Sequence, residues 1–269
     1  MRDAIFLPPA AAADFDGVIV DCRFTLTDAG AGRRDHAAGH LPGALHLDLE
    51  RDLSAPPGVH GGRHPLPAPG DFAARLAALG IRRETPLLLY DDSGYPFAAR
   101  LWWMLRALGY PPPRLLEGGY RAWLRTGGVP DTAPPQPQPQ ALPVPTVPER
   151  WPRCCDREQL AQLQAGGAQL VDAREAQRYR GEQEPIDPVA GHIPGAVNRP
   201  WQSLLDDEGR LLPEPRLREL FGELLQAEPL VAYCGSGVSA CVNLLALATL
   251  GRDDAWLYAG SWSDWCSYL

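Results

Sequence analysis

Short apolar runs alternate along this chain with longer apolar segments of helical length. Leu230, Val231, Ala232 and Tyr233 form one such run, of the size and composition of a strand buried on both faces. The longer segments cover 72–79 and 97–108 in the first half and 217–225 and 238–250 in the second. Strands interleaved with helices in this way predict an α/β fold, in which a parallel sheet carries helices on both faces.

The pattern is written twice. Val20-Asp21-Cys22-Arg23 answers Val171-Asp172-Ala173-Arg174, and the stretch from Gly39 to Ala44 (GHLPGA) answers that from Gly191 to Ala196 (GHIPGA). Leu89-Tyr90-Asp91 then answers Ala232-Tyr233-Cys234, and the stretch from Glu117 to Trp123 answers that from Ala259 to Trp265. Four matches in one order predict a duplicated domain. Between the copies, APPQPQPQALPVPTVP favours an extended polyproline segment over packed structure. The expected organisation is one domain over 1–126, a Pro/Gln-rich linker over 127–150 and a second domain over 151–269. In both copies the Asp-x-Arg pair reads as a local ion pair at a strand end, and the Pro-Gly turn as punctuation before a strand.

Composition narrows the class. A chain of 269 residues with 45% hydrophobic content and eight Trp can fill two cores. The net charge of −8 argues against nucleic acid or an anionic membrane surface as partner. No apolar stretch reaches the ~20 residues of a membrane span, and the start of the chain lacks the pattern of a secretory signal, so a cytoplasmic enzyme is expected. Six cysteines without Cys-x-x-Cys or Cys/His clusters suggest neither a disulfide framework nor zinc, and no cofactor or metal is expected.

The chemistry concentrates at Cys234. It follows a buried strand and opens Cys-Gly-Ser-Gly-Val-Ser before a helical segment, the place where open α/β sheets bind their ligands. Gly235 and Gly237 permit a tight turn whose N–H groups, with those of Ser236, Val238 and Ser239, would form an anion nest that favours a thiolate. The ordinary role of a lone cysteine is a small buried hydrophobe. Two glycines and two hydroxyls within five residues have no such packing rationale. The first copy carries Asp91 at this position, so its loop lacks a nucleophile, is expected to repel anions and is expected to be catalytically silent. Gly39 to Asp91 is also nine positions longer than Gly191 to Cys234, and the extra Gly/Pro-rich polar loop, which includes Asp52 and His64, is expected to reach across to the other domain's pocket.

The loop CGSGVSA resembles that of the rhodanese-like sulfurtransferases, in the form found in those that act on 3-mercaptopyruvate. The paired Gly-His-x-Pro-Gly-Ala elements and the closing Gly260-Ser-Trp-Ser-Asp-Trp265 resemble the same family across both domains. The resemblance implies two tandem rhodanese-like domains and a sulfane sulfur carried as a persulfide on Cys234. The sulfur would come from a small anionic donor, 3-mercaptopyruvate or thiosulfate, and pass to cyanide or to a thiol, either a small molecule or a thioredoxin-like protein. It implies a proton relay of Ser236 with His64 and Asp52. It also implies that Arg178 grips the donor's carboxylate, for which a planar guanidinium is suited; the plain alternative is an ion pair with Glu182. Ile186 stands where such enzymes usually carry a second arginine, which removes charge-assisted hydrogen bonds worth about 1.5–3 kcal/mol. Two other classes are weighed. A cysteine phosphatase needs Cys-x5-Arg, and here that position is Ala240, with no arginine from 234 to 249. A non-catalytic binding or redox-sensing module is the other, and the intact cysteine in a neutral loop speaks against it.

Overall fold

The computed structural model describes residues 2–135 and 142–269. The first half holds five strands, β1 (Phe6–Leu7), β2 (Val18–Asp21), β3 (Leu45–His46), β4 (Leu87–Tyr90) and β5 (Arg114–Leu116). Its helices are α1 (Arg2–Ile5), α2 (Ala31–Ala38), α3 (Pro69–Ala78), α4 (Pro96–Ala107) and α5 (Gly119–Arg125). The second half repeats the count with β6 (Cys154–Cys155), β7 (Gln169–Asp172), β8 (Ala196–Asn198), β9 (Leu230–Tyr233) and β10 (Trp256–Tyr258). Its helices are α6 (Arg157–Ala165), α7 (Ala176–Tyr179), α8 (Glu214–Phe221), α9 (Ala240–Thr249) and α10 (Ser261–Trp265). The strand orders are β1-β5-β4-β2-β3 and β6-β10-β9-β7-β8, with every pairing parallel. Position for position these are the same sheet, so the duplication read from four short motifs extends to the whole topology.

The four expected helical segments form, with shifted ends. The last turn expected over 217–225 is instead a 3-10 turn, Gly222–Gln226, entered through Gly222 at φ +52, where α8 stops. The part of the linker over 136–141 lies outside the described residues. Just past the linker's downstream end, Trp151 docks on the first half, packing against Phe72 and Trp103 while its indole N–H donates to the Pro67 carbonyl at 2.7 Å.

Helix α9 is buried on all sides, and α4 nearly so, which an amphipathic surface helix never is. The two helices pack on each other, so that Leu101 and Leu105 share one continuous core with Leu244 and Leu245. Each such side chain contributes about 1.5–3 kcal/mol on burial. The two sheets are therefore fixed relative to one another by an apolar seam, and the loops at their carboxyl ends meet across it.

Each Asp-x-Arg pair is the buried ion pair expected, with a further function. Arg23 holds both oxygens of Asp21 and donates to the Gly39 carbonyl at 2.7 Å; Arg174 does the same with Asp172 and the Gly191 carbonyl at 2.7 Å. Tyr90 and Tyr233, which end the central strands, accept an N–H from Leu41 and Ile193. The Gly-His turn is thus stapled to the strand end in both halves.

Candidate active site

Strand β9 ends at Tyr233, and the loop from Cys234 to Ser239 leads into α9. The turn between β10 and α10 holds the loop's entry. Cys234 N–H donates to Ser261 Oγ at 3.1 Å, while the carbonyls of Cys234 and Gly235 accept from the N–H groups of Trp262 and Ser263 at 3.0 and 2.9 Å. Gly237 sits at φ +74, and a Cβ there would lie 2.3 Å from the Ala259 carbonyl oxygen. Only glycine fits that close approach. Among the described residues, no protein acceptor takes the N–H of Gly235, Ser236, Gly237 or Val238.

The first half shows what this loop geometry does with a charge. Asp91, 1% exposed at the end of β4, receives four backbone N–H groups: Ser93 and Tyr95 on one carboxylate oxygen at 3.1 and 2.9 Å, Phe97 and Ala98 on the other at 3.1 and 3.0 Å. Burial pushes this carboxyl up to about 6 against the pull of those donors, and it is ionised at neutral pH. The loop is an anion nest filled by its own side chain, so its donors are taken and none is left for an arriving anion. In the second half the carboxylate is replaced by a thiol and the amides stand free.

Cys234 is only 2% exposed. The loop that it opens faces a cleft of about 390 Å³, lined by Gly235, Ser236, Val238 and Ser239 together with Arg63 and Arg178. The first half supplies the roof. His64 Nδ1 is 2.8 Å from Ser236 Oγ, a contact made across the two domains. The long loop that carries His64 is pinned to α10 and the residues after it: Gly61 N–H donates to Asp264 at 2.7 Å, Arg63 N–H to Ser263 at 3.1 Å, and His60 stacks on Tyr268. The expectation that the long loop reaches the partner's pocket is met at His64 and not at Asp52. The Asp52 carboxylate takes the Asp48 N–H at 2.8 Å and Arg75 Nε at 2.7 Å, so it closes its own turn and is not hydrogen-bonded to His64.

No carboxylate is among the groups that set the charge of His64. Burial, then the cations Arg100 and Arg63, push it down from 6.5 to about 4, so its imidazole is neutral at physiological pH. Folding stability is expected to follow. The unfolded chain takes up a proton at this residue near pH 6.5 and the folded chain only near 4, so stability falls as pH drops through that window, by up to roughly 3 kcal/mol. Urea unfolding at pH 7, 5 and 4 checks this: His64→Gln is expected to lose that component of the slope, and an unchanged slope would contradict the assignment.

Arg100, wholly buried in α4, is the clamp behind the site. It donates to the carbonyls of Gly237 at 2.8 Å and His64 at 2.9 Å, tying the active loop to the loop that roofs it. Arg178 meets Glu184 at 2.7 Å and Asp187 at 3.2 Å; the expected alternative partner Glu182 pairs instead with Arg180. Arg63, from the first half, ion-pairs with Asp187. Both guanidinium groups lean on the loop: a Cβ at Gly235 would lie 3.0 Å from Arg63 Nη2 and 3.5 Å from Arg178 Nη2.

The model of the rhodanese-like domain matches residues 10–126 and again 156–268. This chain belongs to the rhodanese-like family. It is 46% identical to a probable 3-mercaptopyruvate sulfurtransferase of Pseudomonas aeruginosa, over 95% of this chain and 91% of that one. To a putative thiosulfate sulfurtransferase of Mycobacterium tuberculosis it is 42% identical, over 93% and 87%. The solved structure of 3-mercaptopyruvate sulfurtransferase from Leishmania major superposes with a TM-score of 0.87 at 31% identity, covering 100% of this chain and 76% of that one. Within this rhodanese-like frame the sequence reading missed Arg63, Arg100 and Asp187. A signal existed for Arg100, a lone charge inside the apolar stretch FAARLWWML. For Arg63 there was only its place beside His64, and for Asp187 none, since their pairing joins residues far apart in the chain.

Proposed function

We propose that this sulfurtransferase carries sulfur on Cys234, with the first domain catalytically silent and serving as roof and relay. The observation that carries the reading is the 2.8 Å contact between His64 Nδ1 and Ser236 Oγ, two residues along from the nucleophile. A partner-binding module has no use for a neutral imidazole poised on a serine beside a buried cysteine. Acyl or phosphoryl chemistry would call for other partners.

The donor anion rests against Arg63 and Arg178, and the Cys234 thiolate attacks its outer sulfur. With 3-mercaptopyruvate the carbon–sulfur bond breaks, its electron pair passing to the carbon to give the enolate of pyruvate. The donor's thiol proton ends on that carbon, and Ser236 and neutral His64 carry it there. With thiosulfate the sulfur–sulfur bond breaks, sulfite leaves and no proton moves. Cyanide or a thiolate then attacks the outer sulfur of the persulfide and returns Cys234 as thiolate. The proton relay favours 3-mercaptopyruvate as the donor. The acceptor in this reading is a small-molecule thiol or a thioredoxin-like protein, which takes the outer sulfur from Cys234.

A loading experiment tests this. Protein incubated with 3-mercaptopyruvate, freed of donor and then given cyanide is expected to release one thiocyanate per chain in a burst, with parallel double-reciprocal lines in steady state. A chain that releases none, and converts donor only when cyanide is present, would contradict a covalent carrier.

A further inference from the structure

Two cations converge beside the nucleophile, one from each domain, and a carboxylate stands between them. Asp187 accepts from Arg63 Nη1 on one oxygen and from Arg178 Nη2 on the other, the latter at 3.2 Å. Its side chain is 2% exposed, against 31% for Arg63 and 13% for Arg178. Among the described residues it is the only carboxylate that touches both. Glu184 pairs with Arg178 and Arg174 but not with Arg63. The next residue toward solvent, Ile186, is 48% exposed, lines the same cleft and brings no charge.

We propose that Asp187 sets the donor preference of this enzyme by discriminating against doubly charged donors. The proposal rests on the sulfurtransferase reading and adds to it the residue that chooses between donor classes. Arg63 and Arg178 carry two positive charges, and Asp187 with Glu184 balances them. These four side chains together carry no net charge, so an arriving donor shares the two guanidinium groups with Asp187. One carboxylate can use the outward N–H groups while the rest of a monoanion stays uncharged. A dianion has no second uncompensated cation to meet, and its extra charge is repelled by the buried Asp187 carboxylate. Coulomb energy is linear in ligand charge, so neutralising Asp187 acts on a dianion with twice the effect in free energy that it has on a monoanion. The factor gained by the dianion is then about the square of the factor gained by the monoanion.

The test is binding alone, in Cys234→Ser protein that cannot consume donor, so it does not depend on whether sulfur is transferred. Titration calorimetry at fixed salt with thiosulfate and with pyruvate compares this protein with one that also carries Asp187→Asn. Thiosulfate is expected to bind at least about tenfold tighter and pyruvate about threefold tighter. Ile186→Arg, at a surface position that leaves the buried cluster intact, is expected to shift the two ligands in the same unequal way, and it stands as the test if Asp187→Asn does not fold. Equal factors for the two ligands, or weaker binding of both, would overturn the proposal. Failure of the sulfurtransferase reading is separate and visible in the loading experiment on the unaltered chain.

Discussion

Replacing Cys234 with alanine is expected to reduce sulfur transfer to the uncatalysed background, a loss of at least about a thousandfold with either donor. No other thiol can stand in for it. Burial pushes Cys241 up to about 12 and Cys154 up to about 11, and it raises Cys22, Cys155 and Cys266 as well, so all five are held protonated at neutral pH. The nest is also specific to its position, since the free N–H groups of Gly235 to Val238 belong to the loop that Cys234 opens. The variant is expected to stay folded. One buried sulfur is lost from a loop whose entry is held by main-chain bonds to Trp262 and Ser263, a cost of about 1 kcal/mol. Thermal unfolding and donor turnover measured on the same preparation check both halves of the statement. A variant that is folded and retains more than about a hundredth of the rate would remove Cys234 from the mechanism.

Ser236→Ala should separate the two donors. Moving a proton through a positioned side chain contributes roughly a hundred- to ten-thousandfold, and only the 3-mercaptopyruvate reaction requires it. Turnover with 3-mercaptopyruvate is expected to fall by about a hundredfold or more, and turnover with thiosulfate by less than about threefold. The serine is nearly buried, and its one side-chain contact is with His64, so its removal leaves the arginines and the main-chain loop in place. His64 is neutral well below pH 6, so the split between donors is expected to hold from pH 6 to 8 without an imidazole inflection. Equal losses with both donors would mean that Ser236 shapes the loop and moves no proton.

Much of this was legible in the residues because it is local. Buried strands and helices announce themselves by apolar runs, and the duplication by motifs in a fixed order. A cysteine at a strand end followed by Gly-Ser-Gly has few readings. The Asp-x-Arg pairs also proved local, and their ion pairs formed as expected. What the residues alone could not give was which side chains of distant segments meet. His64 and Asp52 sit in one loop, and spacing offered no means of knowing that one reaches Ser236 while the other is taken by Asp48 and Arg75. Arg63 finds Asp187 only because α4 and α9 pack on each other and join the two halves. How Asp91 is held escaped for a related reason. A carboxylate in a loop reads as a bare charge, and the four amides that hold it are not legible from the residues.

The most direct test is where the sulfur lands. After brief exposure to 3-mercaptopyruvate, the chain is digested without reductant and its cysteine-containing peptides are weighed. One added sulfur is expected on the peptide holding Cys234, lost again on treatment with cyanide, and none on the peptides of the other five cysteines. An added sulfur on any of those instead, or no mass change at Cys234 while donor is turned over, would contradict the account.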